Sequence, residues 1–199
     1  MRIIAGARRG MKLLVPPTRE TRPITDRVKE SLFMILQNYD LLAGARVADL
    51  FCGVGSLGLE AISRGAAFVT FVEKNPEIAD VLEKNIAKAA FETQSRVVRA
   101  SAFRVGAPLG SRGERHDLVF VDPPYAMTKE VGPASALADL LRILQGQVVP
   151  RGVVIVRTER DSRPLDEYGV FHSVDRRDWG SMSVVFLQAA GDEQQASGD

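Results

Sequence analysis

The residues with the clearest chemical potential form the tetrapeptide Asp122-Pro123-Pro124-Tyr125, which follows an apolar run at 118–121. The prolines carry no N–H group, so the carbonyls beside the Asp122 carboxylate have no local donor. An amino group on a nucleobase is a poor nucleophile because the ring delocalises its lone pair. Accepting its two hydrogens at Asp122 and Pro123 would favour a tetrahedral nitrogen, and Tyr125 could stack on the base. We therefore predict that these four residues catalyse group transfer to an exocyclic amine, by positioning and electrostatics and without a metal.

A second motif, Gly-x-Gly-x-x-Gly with glycines 53, 55 and 58, joins an apolar run at 47–51 to a helical pattern. Glycines there permit a tight turn and a close approach of the backbone to a ligand. Glu73 ends the next apolar run, twenty residues after Gly53, where its carboxylate could accept hydrogen bonds from both hydroxyls of a ribose. These features predict a nucleoside-containing cofactor, and on their own they fit a nicotinamide dehydrogenase equally well.

Asp49 favours one cofactor class, because it lies at the end of the predicted strand, four residues before Gly53. Dinucleotide-binding folds usually have apolar residues there. Asp49 could hold an ammonium group or order the loop, and the helix N-terminus near Ser56 and Leu57 could receive a carboxylate. S-adenosylmethionine carries both groups and no pyrophosphate, so the two motifs together predict methyl transfer. Glu60, one turn into the helix, is interpreted as structural.

The elements that must position these motifs alternate from residue 46 onward. Apolar runs of strand length occur at 47–51, 68–72, 96–98, 118–121 and 153–156, and helical patterns occur at 56–64, 75–89 and 134–144. Such alternation predicts a parallel sheet with right-handed crossovers and helices on both faces. Two further runs, at 170–174 and 183–187, predict a closing antiparallel hairpin, with Trp179 interpreted as packing rather than base stacking. The predicted fold is therefore α/β and Rossmann-like, with a mostly parallel seven-stranded sheet.

The N-terminal part of the chain predicts a β-hairpin and a helix. Apolar runs at 2–5 and 11–15 flank a glycine-containing turn. Thr25 lies where a helix N-cap belongs, and apolar residues at helical spacing continue to about Asn38.

The composition limits the class of protein and its compartment. A chain of 199 residues suits one domain with a sizeable core. No apolar run approaches the ~18 residues of a membrane span, and the first residues lack the apolar stretch of a signal peptide. The single cysteine, Cys52, excludes a disulfide framework, so we expect a cytoplasmic protein. Cys52 is interpreted as a small buried residue rather than a covalent nucleophile.

Several blocks of the sequence resemble the class I methyltransferases with a [DN]-P-P-[YF] motif and, more closely, the RsmD family of 16S rRNA guanine-N2 methyltransferases. The most specific block is R-P-I-T-D-R-V-K-E at 22–30, whereas D-P-P-Y at 122–125 is shared with DNA adenine methyltransferases. The similarity extends from about residue 2 to residue 187. The other blocks are R-I-I-A-G at 2–6, the glycine loop at 49–61, F-V-E-K-N at 71–75 and W-G at 179–180. The resemblance implies methylation of the N2 amine of a guanine in bacterial 16S rRNA.

The resemblance also implies which residues hold the cofactor. Families of this type commonly place Asp or Asn after the third strand to receive the adenine amine, and this chain has Ser101 followed by Ala102. A serine hydroxyl can accept that hydrogen bond without carrying a charge. The residues expected to bind S-adenosylmethionine are Asp49, Phe51, Gly53, Gly55, Ser56, Gly58, Glu73, Lys74, Ser101 and Ala102.

The charge distribution suggests where RNA binds. The formal net charge is +1, but residues 1–30 contain eight basic and three acidic residues, a net charge of +5. A basic segment in a neutral protein favours a local contact with nucleic acid, although a merely solvated surface has the same composition. A hairpin that carries arginines beside the catalytic crevice could grip phosphates. The residues predicted to contact RNA are Arg8, Arg9, Lys12, Arg22 and Arg27, of which Arg27 could instead pair with Asp26 or Glu30.

We expect an N-terminal RNA-binding appendage at 1–40, a methyltransferase domain at 41–188 and a disordered polar tail at 189–199. The expected partner is 16S rRNA or a small ribosomal subunit particle, with the protein a monomer that binds no metal and no membrane. Two other functions stay open. An adenine-N6 DNA methyltransferase shares D-P-P-Y but usually carries a sizeable target-recognition segment. A non-catalytic rRNA-binding assembly factor would not need both motifs intact.

Overall fold

The computed structural model describes residues 1–16, 24–124 and 128–191. Its strands are β1 (Arg46–Leu50), β2 (Phe68–Val72), β3 (Ser95–Val98), β4 (His116–Val121), β5 (Val148–Glu159), β6 (Glu167–Tyr168), β7 (Phe171–Trp179) and β8 (Met182–Ala189). They form one sheet in the order β3-β2-β1-β4-β5-β8-β7-β6. The strands β1 to β5 run parallel, and β8, β7 and β6 continue the sheet through antiparallel pairs.

Helices cover both faces of this sheet. Their bounds are α1 (Asp26–Asn38), α2 (Ser56–Ser63), α3 (Pro76–Ala89), α4 (Ala102–Val105) and α5 (Ala136–Leu144), with 3-10 turns at Gly6–Arg8 and Glu92–Gln94. Successive strand residues point to opposite faces, so the sheet separates two buried hydrophobic clusters. One cluster packs α1, α2 and α3 against one face, and the other packs α4 and α5 against the opposite face. None of the described helices is long and apolar enough to cross a membrane.

The predicted α/β fold class, with its mostly parallel sheet and closing antiparallel hairpin, is confirmed. The predicted number of seven strands is wrong, because Glu167–Tyr168 adds a short eighth strand that pairs with β7. A strand of two residues is too short to show an alternation of apolar and polar residues. The helix α4 has four residues, too few to show a helical spacing of apolar residues, and it was also not predicted. The strand β8 includes Ala189, the first residue of the predicted tail, and residues 192–199 lie outside the described residues.

Parallel pairing brings the ends of the central strands together. We call the edge of the sheet at which β1 to β5 end the carboxyl edge, and the opposite one the amino edge. Leu50 pairs in register with Val121, so the segments that follow β1 and β4 leave the sheet side by side. Val121 also pairs with Val156, which places Asp122 beside Arg157. Both sequence motifs therefore meet at the carboxyl edge, where open α/β sheets bind their ligands.

The N-terminal segment doubles back on itself as the predicted hairpin, with the amides of Ile3 and Leu13 donating to the carbonyls of Met11 and Met1 at 2.9 and 3.1 Å, but its pairing is irregular. Arg2 and Lys12 form one isolated antiparallel bridge, outside any described strand. The N–H groups of the consecutive residues Ile4 and Ala5 both point at the carboxylate of Glu60 in α2, at 2.7 and 3.0 Å. A strand directs successive amides to opposite sides. Because both amides donate to Glu60 on the same side, the ladder of backbone hydrogen bonds is interrupted here.

The helix α1 begins and ends where the sequence predicts. The hydroxyl oxygen of Thr25 accepts a hydrogen bond of 3.4 Å from the amide of Val28, as an N-cap does, and the helix ends at Asn38. Leu32 and Phe33 on its inner face are buried against the core.

A buried ionic cluster joins α1, α2 and the N-terminal segment. The carboxylate of Glu60 lies 3.2 Å from Nζ of Lys29 and 2.7 Å from Nε of Arg64, and all three side chains are almost completely buried. Nζ of Lys29 also donates to the carbonyl of Arg2 at 2.6 Å. Burial lowers the pKa of Lys29, and the charge of Glu60 opposes that shift. The attraction between these charges therefore offsets part of the free-energy cost of burying them.

Glu60→Gln should reduce the free energy of unfolding by about 3–5 kcal/mol, because it leaves two cations buried without a counter-ion. Denaturant unfolding followed by circular dichroism would measure the loss. Asp139→Asn is the matched control, since the ion pair of Asp139 with Arg142 is exposed, with side-chain exposures of 64% and 63%. The control should leave stability nearly unchanged. Equal stability of the two variants would contradict the role given to Glu60.

Candidate active site

Asp49 lies buried in β1 and closes the glycine loop. Its Oδ2 accepts a hydrogen bond of 2.8 Å from the amide of Gly58 in the first turn of α2. Of the two roles considered for Asp49, this contact corresponds to loop ordering, because the carboxylate satisfies a free donor at the helix N-terminus. Burial raises the pKa of Asp49 to about 8, with the Gly58 hydrogen bond opposing the shift and the carboxylates of Asp122 and Glu73 adding to it.

The second and third glycines of the motif are required by close packing. Gly55, which precedes α2, has a φ of +88°, and a Cβ there would lie 2.5 Å from a methyl group of Leu82 in α3. A Cβ on Gly58 would lie 2.3 Å from the ring of Phe71 in β2. The helix α2 therefore lies directly on the sheet. Since Asp49 accepts from Gly58, the amides of Ser56 and Leu57 are left as the donors that α2 offers to a ligand.

Glu73 connects the loop that follows β1 to the loop that follows β2. Its two carboxylate oxygens accept hydrogen bonds from the amides of Gly53, at 3.1 Å, and Asn75, at 2.8 Å. Lys74 beside it is exposed, whereas Glu73 retains only 9% exposure. The carboxylate is thus fixed at the carboxyl edge next to the glycine loop.

An aromatic pair borders the same edge. Phe51 has a φ of +58°, which is unusual for a residue other than glycine. Its ring meets that of Phe103 edge-on, with centroids 5.0 Å apart. Phe103 follows Ser101 and Ala102, which are half-buried and buried, and the Ser101 side chain makes no capping hydrogen bond to α4. Phe103 was not predicted as part of the site. Its only signal in the sequence is its position as an aromatic residue directly after the Ser101-Ala102 pair.

Asp122 follows β4 and forms an ion pair that the sequence did not suggest. Nε of Arg157 lies 2.5 Å from Oδ1 of Asp122, and both side chains are largely buried. Burial raises the pKa of Asp122 to about 6, and the charge of Arg157 opposes the shift. Pro123 is buried and Pro124 is exposed, while Tyr125 lies outside the described residues.

A small, mostly apolar cavity adjoins this ion pair. It lies between the first residues of α1 and α2 and the ends of the central strands. Its lining consists of Ile24, Leu32, Leu57, Phe120, Val121, Asp122, Ile155, Arg157 and Val184. The carboxyl edge therefore brings together Asp122, the glycine loop and the start of α1.

The tip of the N-terminal segment lies at the amino edge, so the expectation that its arginines flank the catalytic crevice is wrong. The amide of Arg8 donates to Oγ of Ser63 at 3.0 Å, and its Nε donates to the carbonyl of Ala89 at 2.6 Å. Ser63 and Ala89 end α2 and α3, which run back from the carboxyl edge. The Arg8 guanidinium also lies 5.5 Å from the centre of the Phe91 ring. Arg8 therefore has a packing role, whereas its neighbour Arg9 is exposed.

The other predicted RNA contacts are distributed along the segment. Arg27 is exposed in the first turn of α1, three residues after Ile24, which lines the cavity beside Asp122. Asp26 pairs with Arg2 at 2.8 Å rather than with Arg27. Lys12 is exposed, and Arg22 lies outside the described residues. Among the described candidates, Arg27 is therefore the nearest in sequence to a residue that lines the cavity beside Asp122.

Cys52 and Trp179, which were given no catalytic role from the sequence, both pack against other residues of the protein. Cys52 is buried, and burial raises the pKa of its thiol, which disfavours the nucleophilic thiolate. Trp179 pairs with Met182 at the end of the antiparallel hairpin and packs against the core.

Comparison with solved structures places the fold in a known class. A putative methyltransferase yhhF from Escherichia coli has a TM-score of 0.78 and 30% identity, covering 96% of this chain and 99% of its own. A putative methylase HI0767 from Haemophilus influenzae has a TM-score of 0.72 and 31% identity, covering 95% and 98%. The chain therefore has the class I methyltransferase fold.

Sequence comparison then identifies the family. A family model described as conserved hypothetical protein 95 matches residues 1–188. Ribosomal RNA small subunit methyltransferase D of Escherichia coli K12 is 43% identical over 127 residues, which are 63% of this chain and only 60% of that relative. The Haemophilus influenzae protein of the same name is 36% identical over 83% of this chain and 81% of its own. The putative rRNA methyltransferase YlbH of Bacillus subtilis is 35% identical over 96% of this chain and 100% of its own. The chain belongs to this family, the RsmD family, as its sequence predicted.

Gly58→Ala should destabilise the protein by about 1–3 kcal/mol, because the added methyl group overlaps the Phe71 ring and pushes α2 off the sheet. Cofactor affinity should fall with it, since α2 carries the amides of Ser56 and Leu57. Gly146→Ala is the control, because a Cβ at Gly146 meets no atom within 4 Å. Thermal unfolding and calorimetric titration with S-adenosylhomocysteine would measure both effects. If the two variants behaved alike, the close packing of α2 would not matter for the site.

Proposed function

We propose that this protein methylates the exocyclic N2 amine of a guanine in bacterial 16S rRNA, with S-adenosylmethionine as methyl donor. The observation that carries the proposal is the meeting of Asp122 and Pro123 with the glycine loop at the carboxyl edge. Relatives named ribosomal RNA small subunit methyltransferases support the class of substrate. The N2 specificity is inferred from the resemblance of the block at 22–30 to the RsmD pattern.

The residues around the glycine loop fit S-adenosylmethionine. A Cβ at Gly53 would meet no atom within 4 Å, so there is open space above the loop for a ligand. The amides of Ser56 and Leu57 would receive the carboxylate of the cofactor, and Glu73 would accept hydrogen bonds from its ribose. Ser101 would accept a hydrogen bond from the adenine amine. The bound cofactor supplies an electrophilic methyl group on a sulfonium.

Asp122 would orient and activate the amine of the substrate. Its carboxylate and the Pro123 carbonyl would accept the two N–H bonds and direct the nitrogen lone pair outward. As the nitrogen–carbon bond forms and the carbon–sulfur bond breaks, the nitrogen must lose one proton, which the carboxylate of Asp122 would take and pass to water. With a pKa of about 6, to which burial raises it, the carboxylate is ionised at neutral pH and able to act as acceptor.

RNA would approach the carboxyl edge, where the target base must enter. Arg27 lies near that edge, and the segment 17–23, with Arg22, leads into the first turn of α1. Arg9 and Lys12 belong to the part of the N-terminal segment that packs against the ends of α2 and α3. The helix α3 has 14 residues and is about 21 Å long, so an RNA helix could reach both groups.

Asp122→Ala should reduce turnover about 100-fold or more and leave cofactor affinity nearly unchanged, because it removes a group that acts on the amine. Glu73→Ala should show the reverse pattern, with cofactor binding weaker by about 1–3 kcal/mol, because the ribose loses a charged acceptor. Transfer of labelled methyl groups to small-subunit rRNA measures turnover, and calorimetric titration measures affinity.

Parallel reactions with small-subunit rRNA and with DNA, each digested to nucleosides after labelling, distinguish the rival functions. N2-methylguanine is expected, whereas N6-methyladenine in DNA would favour the alternative substrate, and no transfer at all would favour an assembly factor. Tight binding of NAD without a response to S-adenosylhomocysteine would refute the cofactor assignment.

Arg27→Ala should weaken RNA binding and flatten its salt dependence, since each neutralised phosphate contributes about 0.7–0.9 to the slope of log affinity against log salt. The double variant Arg9→Ala with Lys12→Ala should flatten the slope further if RNA spans the molecule, as we expect. Neither change should alter cofactor affinity. Binding curves at several salt concentrations would measure the slopes. An unchanged slope in the double variant would restrict the RNA interface to the carboxyl edge.

A further inference from the structure

Arg157 is the only cation that forms an ion pair with Asp122 among the described residues. Its Nε lies 2.5 Å from Oδ1 of Asp122, and 13% of the Arg157 side chain is exposed. The contact follows from the register of β4 and β5, which pairs Val121 with Val156. Asp122 directly follows Val121, and Arg157 directly follows Val156. The strand register therefore holds the ion pair in place.

The other neighbours of Asp122 cannot replace this cation. The helices α1 and α2 and the strand β8 contribute Leu32, Leu57 and Val184 to the adjoining cavity. Among the described residues, another titratable group beside Asp122 is the carboxyl group of Asp49 in β1, whose pKa of about 8 leaves it largely protonated at neutral pH. Burial disfavours ionisation of Asp122, and the charge of Arg157 opposes that effect.

We propose that Arg157 is a positioning residue for methyl transfer, which holds Oδ1 of Asp122 and thereby presents Oδ2 to the substrate amine. The inference rests on the proposed function. Oδ1 is buried, whereas 20% of the Asp122 side chain remains exposed. The exposed side of the carboxylate is therefore the side that an incoming base can reach.

The ion pair also determines the pH range in which Asp122 can accept a proton. Asp122 must be ionised to take the amine proton, and burial raises its pKa to about 6 while Arg157 opposes the shift. Turnover of the wild type should therefore fall as the pH drops through about 6. Without Arg157, burial acts unopposed, so the pKa of Asp122 rises and the rate is lost at a higher pH.

The test compares Arg157→Leu and Arg157→Lys with the control Arg142→Leu, all in the full chain. Arg142 also forms an ion pair, but its side chain is 63% exposed. The first measurement is the pH dependence of methyl transfer to small-subunit rRNA at saturating cofactor. The second is a carbon-13 NMR titration of the Asp122 carboxyl group, assigned by its loss in Asp122→Asn. The second measurement does not depend on activity.

We expect Arg157→Leu to move both the Asp122 titration and the acid limb of the rate upward by about one pH unit or more, the effect of removing an adjacent opposite charge. Turnover at pH 7 should fall about twofold for a shift of one unit and further for a larger shift, and recover at pH 9, with the KM for the cofactor unchanged. Arg157→Lys should keep the titration near that of the wild type but lose part of the rate, because an ammonium group cannot reproduce the Nε contact. Arg142→Leu should change neither.

An unshifted Asp122 titration in folded Arg157→Leu would overturn the proposal. So would an equal loss of rate at every pH, which indicates a merely structural role. If Arg157→Leu does not fold, a titration shift of one unit or more in Arg157→Lys would overturn it, since the cation is retained. If the wild type transfers no methyl group while Arg157→Leu still shifts the titration, the proposed function fails although the ion pair acts as described.

Discussion

The buried carboxylate of Glu60 is the interaction on which the arrangement of the site depends. Two cations and two backbone amides surround it, and none of these groups could be buried at a tolerable free energy without it. Lys29 extends the cluster to Oγ of Ser56, at 3.3 Å, in the first turn of α2. The N-terminal segment, α1 and the helix of the glycine loop are thereby held in one relative position. Because Ile4 and Ala5 donate their amide hydrogens to Glu60, the N-terminal segment cannot form a regular hairpin ladder at these two residues.

This cluster gives a physical reason for the specificity of the block at 22–30. Thr25 caps α1, Asp26 pairs with Arg2, and Lys29 neutralises Glu60, so three residues of the block fix the first turn of α1 against the rest of the molecule. Arg27, between them, is exposed. A basic residue in the sequence is thus not by itself a candidate for RNA binding: Lys29 is as basic as Arg27 but is buried, and the net charge of the segment does not distinguish the two.

Features that depend on local sequence could be predicted, and features that depend on long-range register could not. The strand at 68–72 and the Thr25 cap follow from patterns within a few residues, and the structure has both where the sequence indicates. The same holds for the meeting of the two motifs, because parallel strands end at one edge. The ion pair of Asp122 with Arg157 required the register of β4 against β5, which no local pattern encodes. The irregular pairing of the N-terminal hairpin has the converse cause: its local pattern was correct, but a distant carboxylate competes for two of its amides.

The charges at the carboxyl edge favour a cationic cofactor over a dinucleotide. Asp49, Glu73 and Asp122 lie close enough that the last two raise the pKa of the first, in addition to the effect of burial. A pKa of about 8 leaves Asp49 largely protonated at neutral pH, so the carboxylates of Glu73 and Asp122 provide the negative potential that a pyrophosphate would meet at this edge. A sulfonium and an ammonium would instead relieve it, while the helix N-terminus still accommodates a carboxylate. The glycine motif alone is compatible with both classes of cofactor, and under the proposed function the acidic residues around it would favour S-adenosylmethionine.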